Sequence, residues 1–174
     1  LLFKLKVFLK IFKQMRFTPL FYYSVFGLII VFILSFIFPF VYDIGLSSLI
    51  LLIIGCLIDG VLLFKNDKPL RINRHAKHNR LSNGDTNELF LSVESYYSFA
   101  IRLTVIDELP VQFQIRNFKI ETLLKAGEHK EFQYTVRPLE RGEYQFGKIN
   151  AFITSPLRLI ERHYKTEDPF MMKC

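Results

Sequence analysis

Tryptophan is absent, cysteine occurs only twice, and residues 17 to 42 hold no charged side chain. Each shortage excludes something. Without Trp, and without aromatic and basic residues interleaved on one strand, the chain lacks the usual surface of a nucleic-acid binder. Cys56 lies inside an apolar run and Cys174 is the last residue, so no disulfide framework is available and a reducing compartment fits. Groupings that carry catalysis are missing as well. There is no Gly-rich phosphate loop, and Ser92, Ser95 and Ser98 have no His in a nucleophile arrangement. Asp107 and Glu108 are adjacent, so on a strand they point to opposite faces and do not converge on one substrate. These absences describe a protein that is not an enzyme and that needs no cofactor.

What is present is divided unevenly. Residues 1 to 80 carry 11 Lys/Arg against 3 acids, and the rest 12 against 13, so the basicity stands beside the apolar segment. That placement addresses a membrane surface and anionic lipid before nucleic acid. Residues 17–38 predict a first transmembrane helix, about 33 Å long at 1.5 Å per residue. Residues 44–64 predict a second, interrupted only by Asp59. The link Pro39-Phe40-Val41-Tyr42-Asp43 is short enough to force antiparallel neighbours. Two buried core helices are the other reading, but the flanking segments are too small to surround runs of this length. Lys4, Lys6, Lys10, Lys13 and Arg16 precede the first helix, and Lys65, Lys68, Arg71, Arg74, Lys77 and Arg80 follow the second. Base-rich flanks mark the cytoplasmic side, so both termini are expected there, at an inner (cytoplasmic) membrane.

Residues 1–16 form a basic amphipathic tail. Lys6, Lys10, Lys13 and Arg16 gather on one side of a helical wheel, with Leu5, Phe8, Leu9 and Phe12 over much of the rest. Such a helix would lie in the headgroup layer; a short tail that only sets topology needs the charge alone. The sequence begins at Leu1 without Met, with Met15 just ahead of the first apolar run, and is expected to be the amino-terminal piece of something longer. Residues 65–80 read as a basic linker and first strand, with Lys65, Lys68, Arg71 and Arg74 as candidate contacts to lipid headgroups. A linker that only orients the chain is the alternative. His75 and His78 could suggest a metal, but the bases around them disfavour a cation. Asp59 is an intramembrane acid and so a candidate for an ion or proton pathway. Its place near the helix end also allows it to reach the interface and pair with Lys65 or a headgroup. With two spans per chain, a pore would require a homo-oligomer.

Residues 81–165 change period. Glu88–Val93, Phe99–Val105, Val111–Ile115 and Phe132–Val136 alternate or nearly so, as half-buried strands do. Asn83-Gly84-Asp85, Leu109-Pro110, Ala126-Gly127-Glu128 and Arg141-Gly142 punctuate them. Tyr144, Phe146, Ile149, Phe152 and Ile153 continue a later strand, and Leu157 to Ile160 begins another. Seven or eight short strands without a helix predict an immunoglobulin-like antiparallel sandwich behind a membrane α-helical hairpin. Residues 166–174 are expected to open a further carboxy-terminal region.

Two stretches carry a more specific signal. One is Asp107-Glu108-Leu109-Pro110; the other runs from Tyr134 to Gly147, with Pro138, Arg141, Gly142 and Tyr144, and is followed by Pro156-Leu157-Arg158-Leu159. Together with the hairpin, over about Met15 to Lys165, they resemble the amino-terminal half of the bacterial membrane family called domain of unknown function fifty-eight. The resemblance implies a neighbour of MoxR-type AAA+ ATPases whose following half is a von Willebrand factor A domain. Ser155 and Arg158 stand where that family usually carries Asp and Gly, which places the local turn in question. In physical terms Asp107 and Pro110 would end a strand by a side-chain-capped turn. Arg141-Gly142 would form a hairpin turn with glycine at positive φ. Tyr144 and Phe146 would then enter the core. Arg137 and Arg141 are the candidate partner surface. The function expected is a non-catalytic, membrane-anchored scaffold acting with such an ATPase in assembly or envelope homeostasis. The alternative is a small transporter or channel subunit using Asp59.

Overall fold

A computed structural model describes residues 11–115, 118–166 and 170–174. In chain order its elements are β1 (Met15–Phe17), α1 (Pro19–Ser35), α2 (Val41–Phe64), β2 (Leu70–Ala76), β3 (Asn87–Ser95), β4 (Ile101–Asp107), β5 (Lys119–Leu124), β6 (His129–Val136), β7 (Glu143–Gln145), β8 (Ile149–Thr154), β9 (Ile160–Thr166) and β10 (Met171–Lys173). A single 3-10 turn, Val111–Phe113, stands between β4 and β5. The chain divides into two compact units, Leu1–Lys65 with Thr154–His163 and Asn66–Ile153 with Tyr164–Cys174. Most of the predicted amphipathic tail, residues 1–10, lies outside the described residues.

In the first unit the helices begin and end where local chemistry dictates. Pro19 occupies the first turn, where its missing N–H is no loss, and the Thr18 side chain accepts from Phe21 N at 3.5 Å. Phe17 therefore falls outside the helix predicted from residue 17. Met15, Arg16 and Phe17 pair antiparallel with Arg162, Glu161 and Ile160. α1 stops at Ser35, ahead of Pro39, whose ring disfavours helix in the residue before it. The link is thus residues 36–40, and α2 starts at Val41 instead of residue 44. At 17 and 24 residues the helices are about 25 and 36 Å long. Among the described residues, α2 alone is long and apolar enough, by length and composition, to cross a membrane. They pack closely at Gly45, where an added Cβ would stand 3.1 Å from Phe32 and 3.3 Å from Val31.

The second unit is antiparallel β-structure. β3 stands between β2 and β6, β4 between β8 and β5, and β7 pairs with β10. Alternation sets the inner faces: Leu70, Ile72 and Arg74 on β2, Leu89, Leu91 and Val93 on β3, and Ile101, Leu103, Val105 and Asp107 on β4 are all buried. Tyr134 and Val136 of β6, with Ile149, Ala151 and Ile153 of β8, complete this core.

Several expectations change here. Val111–Ile115 alternates but is no strand. Pro110 opens the 3-10 turn and Gln114 takes a left-handed φ of 54°, so the chain reverses while Phe113 stacks on Tyr144 at 4.7 Å. Lys119–Leu124 and Met171–Lys173 are strands that the sequence pattern did not single out. The latter pairs with β7, so residues 171–173 belong to the β unit and not to a separate terminal region.

Candidate functional site

Two centres of buried charge, one within each unit, gather distant parts of the chain. In the first, Asp59 on α2 is fully buried, not at an interface with Lys65. Its carboxylate accepts from the Ser155 hydroxyl, and from Leu159 N and Ile160 N at 2.9 Å each. Ser155 Oγ in turn accepts from Leu157 N at 3.2 Å. The turn is closed further by Thr18, whose hydroxyl donates to Arg158 O and whose backbone N donates to Leu159 O at 3.2 Å. Arg158 adopts φ 57°, the left-handed backbone that glycine would supply without strain. So the acid that orders this turn comes from the helix, about a hundred residues upstream, while Ser155 supplies only a hydroxyl. Arg162 reinforces the joint, its Nη1 donating to Leu63 O at 2.6 Å and its guanidinium lying over Phe64 at 4.9 Å.

The second centre joins the two β layers. Arg74 of β2 donates from Nε and Nη2 to Asp107 of β4 at 3.0 and 2.5 Å, and from Nη2 to Gly147 O at 2.8 Å. Tyr134 of β6 donates to the other carboxylate oxygen at 2.9 Å. Burial, and next the Asp107 carboxylate, push the Tyr134 phenol well above its usual range. Asp107 therefore does not cap a turn; its side chain is taken up by Arg74 and Tyr134. The turn is held by Glu108, which accepts from Asn150 Nδ2 at 2.7 Å and Lys148 N at 3.0 Å, while Glu108 O accepts from Gly147 N at 2.8 Å. The Asn150 hydrogen bond, aided by Lys148 N, holds the Glu108 carboxyl below its ordinary value. Gly147 is needed there: a Cβ would stand 2.7 Å from Glu108 Cβ.

Arg74 is thus withdrawn from the predicted headgroup contacts. The bases of residues 65–80 recur every three residues, but the segment is a strand of period two, so Arg71 faces out and Arg74 faces in. Lys65, Lys68 and Arg71 are exposed. His75 packs on Phe90 at 5.2 Å and pairs with Glu131 at 3.0 Å, and among the described residues no group of three metal-ligating side chains forms. Arg141-Gly142 is no hairpin turn, because β6 pairs with β3 and β7 with β10. Gly142 does take the positive φ expected of it, at 157°, and its carbonyl accepts from Cys174 N at 2.9 Å. Arg137 and Arg141 are exposed; Arg137 Nε donates to Gly84 O at 2.6 Å, and buried Pro138 accepts from Gly84 N through its carbonyl at 2.8 Å. Tyr144 and Phe146 do enter the core, with Tyr144 OH donating to Glu140 O at 2.6 Å. Pro156 lies exposed in the turn that Asp59 holds.

Ser155, Arg162, Tyr134 and Asn150 were not legible as site residues. Each acts through a partner 27 to 99 residues away, and no local period records such a pairing. In both centres a buried carboxylate accepts from donors far away in the chain, which holds the elements together.

The fold and these centres define an antiparallel β unit carried by a chain with an apolar helical hairpin. No protein-family model matches the sequence, and neither does any curated protein. Among solved structures the chain is similar to the ASH / PapD-like domain of human CEP192, at 14% identity and TM-score 0.40, over 60% of this chain and 82% of that one. It is also similar to a CARDB domain from Pyrococcus furiosus, at 12% identity and TM-score 0.39, over 54% and 84% of the two chains. A PKD domain of an M14-like peptidase from a Thermoplasmatales archaeon matches at 14% identity and TM-score 0.31, over 57% and 93%. At such scores the strand pairing, and not the likeness, defines the architecture.

Proposed function

We propose that this protein is a membrane-anchored interaction module without catalytic activity of its own. The hairpin sits in a bacterial cytoplasmic membrane with both ends on the cytoplasmic side, and it holds an immunoglobulin-like sandwich toward a cytosolic partner. The observation that carries this reading is a pair of helices apolar on all sides and covered by almost nothing. α1 has no buried residue and α2 only Gly45, Asp59 and Leu63, while Phe26, Ile33 and Leu51 are 64%, 63% and 71% exposed. In water such surface would drive association; in lipid it needs no protein cover. α1 is short for a bilayer core of about 30 Å, and the uncharged Phe36–Phe40 link or local thinning makes up the difference. Tyr144 OH bonded to Glu140 O is the tyrosine corner found in immunoglobulin-like sandwiches, which favours that topology for the β unit.

The partner class rests on the family resemblance: a MoxR-type AAA+ ATPase, together with proteins of von Willebrand A type, met through exposed Arg137 and Arg141. An Asp59 ion pathway is the weaker reading, since three donors of its own chain already occupy that carboxylate.

Single cysteines at Phe40 and Ser98, in a Cys56→Ser/Cys174→Ser background, test the arrangement in intact cells. Phe40→Cys should react with a membrane-impermeant maleimide, and Ser98→Cys only after lysis. Labelling of Ser98→Cys from outside would invert the topology and sever the cytosolic ATPase connection. Purification from mild detergent at native expression should then recover an AAA+ ATPase, and recovery of none would remove the proposed partner.

A further inference from the structure

Resting on the membrane-anchored reading, we propose that the groove between α1 and α2 binds one anionic diacyl phospholipid, its acyl chains in the groove and its phosphate at Lys65. The groove has a volume of about 850 Å³ and lies wholly within the helical unit. Its floor is one face of α2, apolar side chains from Leu49 to Phe64 recurring at i, i+3 and i+4. Its walls are Phe21 and Val25 of α1, with Met15 and Phe17 of β1 and Ile160 of β9 at one end. Among the described residues that line it, Lys65 alone is charged, and it stands at that same end. An apolar slot closed at one end by a cation matches a lipid, which is apolar along its length and anionic at its head.

Size argues for the same occupant. From Leu49 to Lys65 the groove runs about 24 Å along α2, on the length scale of an extended acyl chain. Charge near the end is also arranged for an anion. Lys13 and Arg16 flank Met15 in sequence, and Glu161, the acid on the adjoining ladder, stands opposite Arg16 in register. Burial pushes the Glu161 carboxyl upward, with Arg16 opposing. Headgroup attraction by a single interfacial base corresponds to about fivefold in affinity.

The test uses the full chain in detergent micelles containing equal dioleoyl phosphatidylglycerol and dioleoyl phosphatidylcholine, read by native mass spectrometry. One phosphatidylglycerol should be retained over phosphatidylcholine by about fivefold. Lys65→Gln should erase the preference while keeping a lipid bound. Cys56→Phe, which fills the groove, should strip bound lipid of both kinds without changing the far-ultraviolet circular dichroism. Equal retention of the two lipids by the unaltered chain means annular lipid only and overturns the proposal. So does a preference that survives both substitutions, or a second copy of the chain held in the groove in place of lipid. Carbonate extraction of the same membranes separates the two readings. A chain that stays with the membrane but selects no lipid refutes the groove site alone, whereas a chain released by carbonate refutes the membrane anchor itself.

Discussion

At the scale of single residues, Arg74 and Asp107 decide most. Neither charge reaches water, so their value depends on each keeping the other. Asp107→Ala would take the carboxylate from the buried guanidinium and deprive Tyr134 of its acceptor, a loss of about 3–5 kcal/mol expected of a broken buried pair. Thermal melting of the full chain in mild detergent should record it, and Arg74→Met/Asp107→Leu should recover a good part. A melt of Asp107→Ala indistinguishable from the parent would mean that the pair is not sealed from water. Tyr134 adds a dependence on pH. Its folded phenol titrates above its ordinary value of 10.0, because burial and the Asp107 anion both oppose the phenolate. The unfolded chain therefore releases that proton first, and the stability Tyr134 contributes is complete below the ordinary value and declines as pH rises past it. The melting temperature should fall more steeply above pH 10 than that of Tyr134→Phe. Parallel curves for the two proteins would refute the assignment.

Single elements obey the same logic of shared partners. The turn after β8 has little order of its own, since Ser155, Leu157, Leu159 and Ile160 are all arranged around Asp59 or the hydroxyl it engages. Asp59→Ala removes the acceptor from two backbone N–H groups at about 1–3 kcal/mol each. Trypsin should then cut at exposed Arg158 at least about tenfold faster, with Asp59→Asn falling between because its amide oxygen still accepts. Unchanged cleavage in Asp59→Ala would show that the turn stands without the helix. Within the hairpin, Gly45 and Gly27 make a controlled pair. A side chain at Gly45 meets Phe32 and Val31 at once, whereas nothing lies within 4 Å of a Cβ at Gly27. Gly45→Leu should destabilise the hairpin by about 1–3 kcal/mol in a dodecyl sulfate titration, and Gly27→Leu should not. Equal effects would mean that the two helices do not meet at Gly45.

For the whole molecule, the division into units does not follow the order of the chain. Residues 154–163 lie late in the sequence yet belong with the helices, so a cut after Lys65 separates parts that need each other. A fragment beginning at Asn66 would expose Leu159 and Ile160 and lack the Asp59 acceptor. It should self-associate in light scattering, more so than the full chain in detergent. A monodisperse, stable fragment would show that the turn finds cover within the β unit. Much of this organisation was readable in advance. The uncharged run after Arg16, the break at Pro39 and the two-residue period from Asn87 to Ser95 are local patterns, and local patterns survive in one dimension. The strand at Lys119–Leu124 was not, because its Leu123 faces solvent and its apolar face is weak. The 3-10 turn at Val111–Phe113 was misread because Val, Phe and Ile at alternate positions imitate a strand even where proline has already turned the chain.

The sequence by itself determined the apolar hairpin, the base-rich flanks and the antiparallel character of the second half, because each follows from the spacing of side chains along a few neighbouring residues. Only the tertiary structure decided that Arg74 faces Asp107, that Asp59 accepts from a turn about a hundred residues on, and that Gly147 must lack a side chain. Those outcomes depend on which residues far apart in the chain are brought within hydrogen-bonding distance. A buried charge takes whatever partner the fold delivers, and spacing along the chain does not record which one that is.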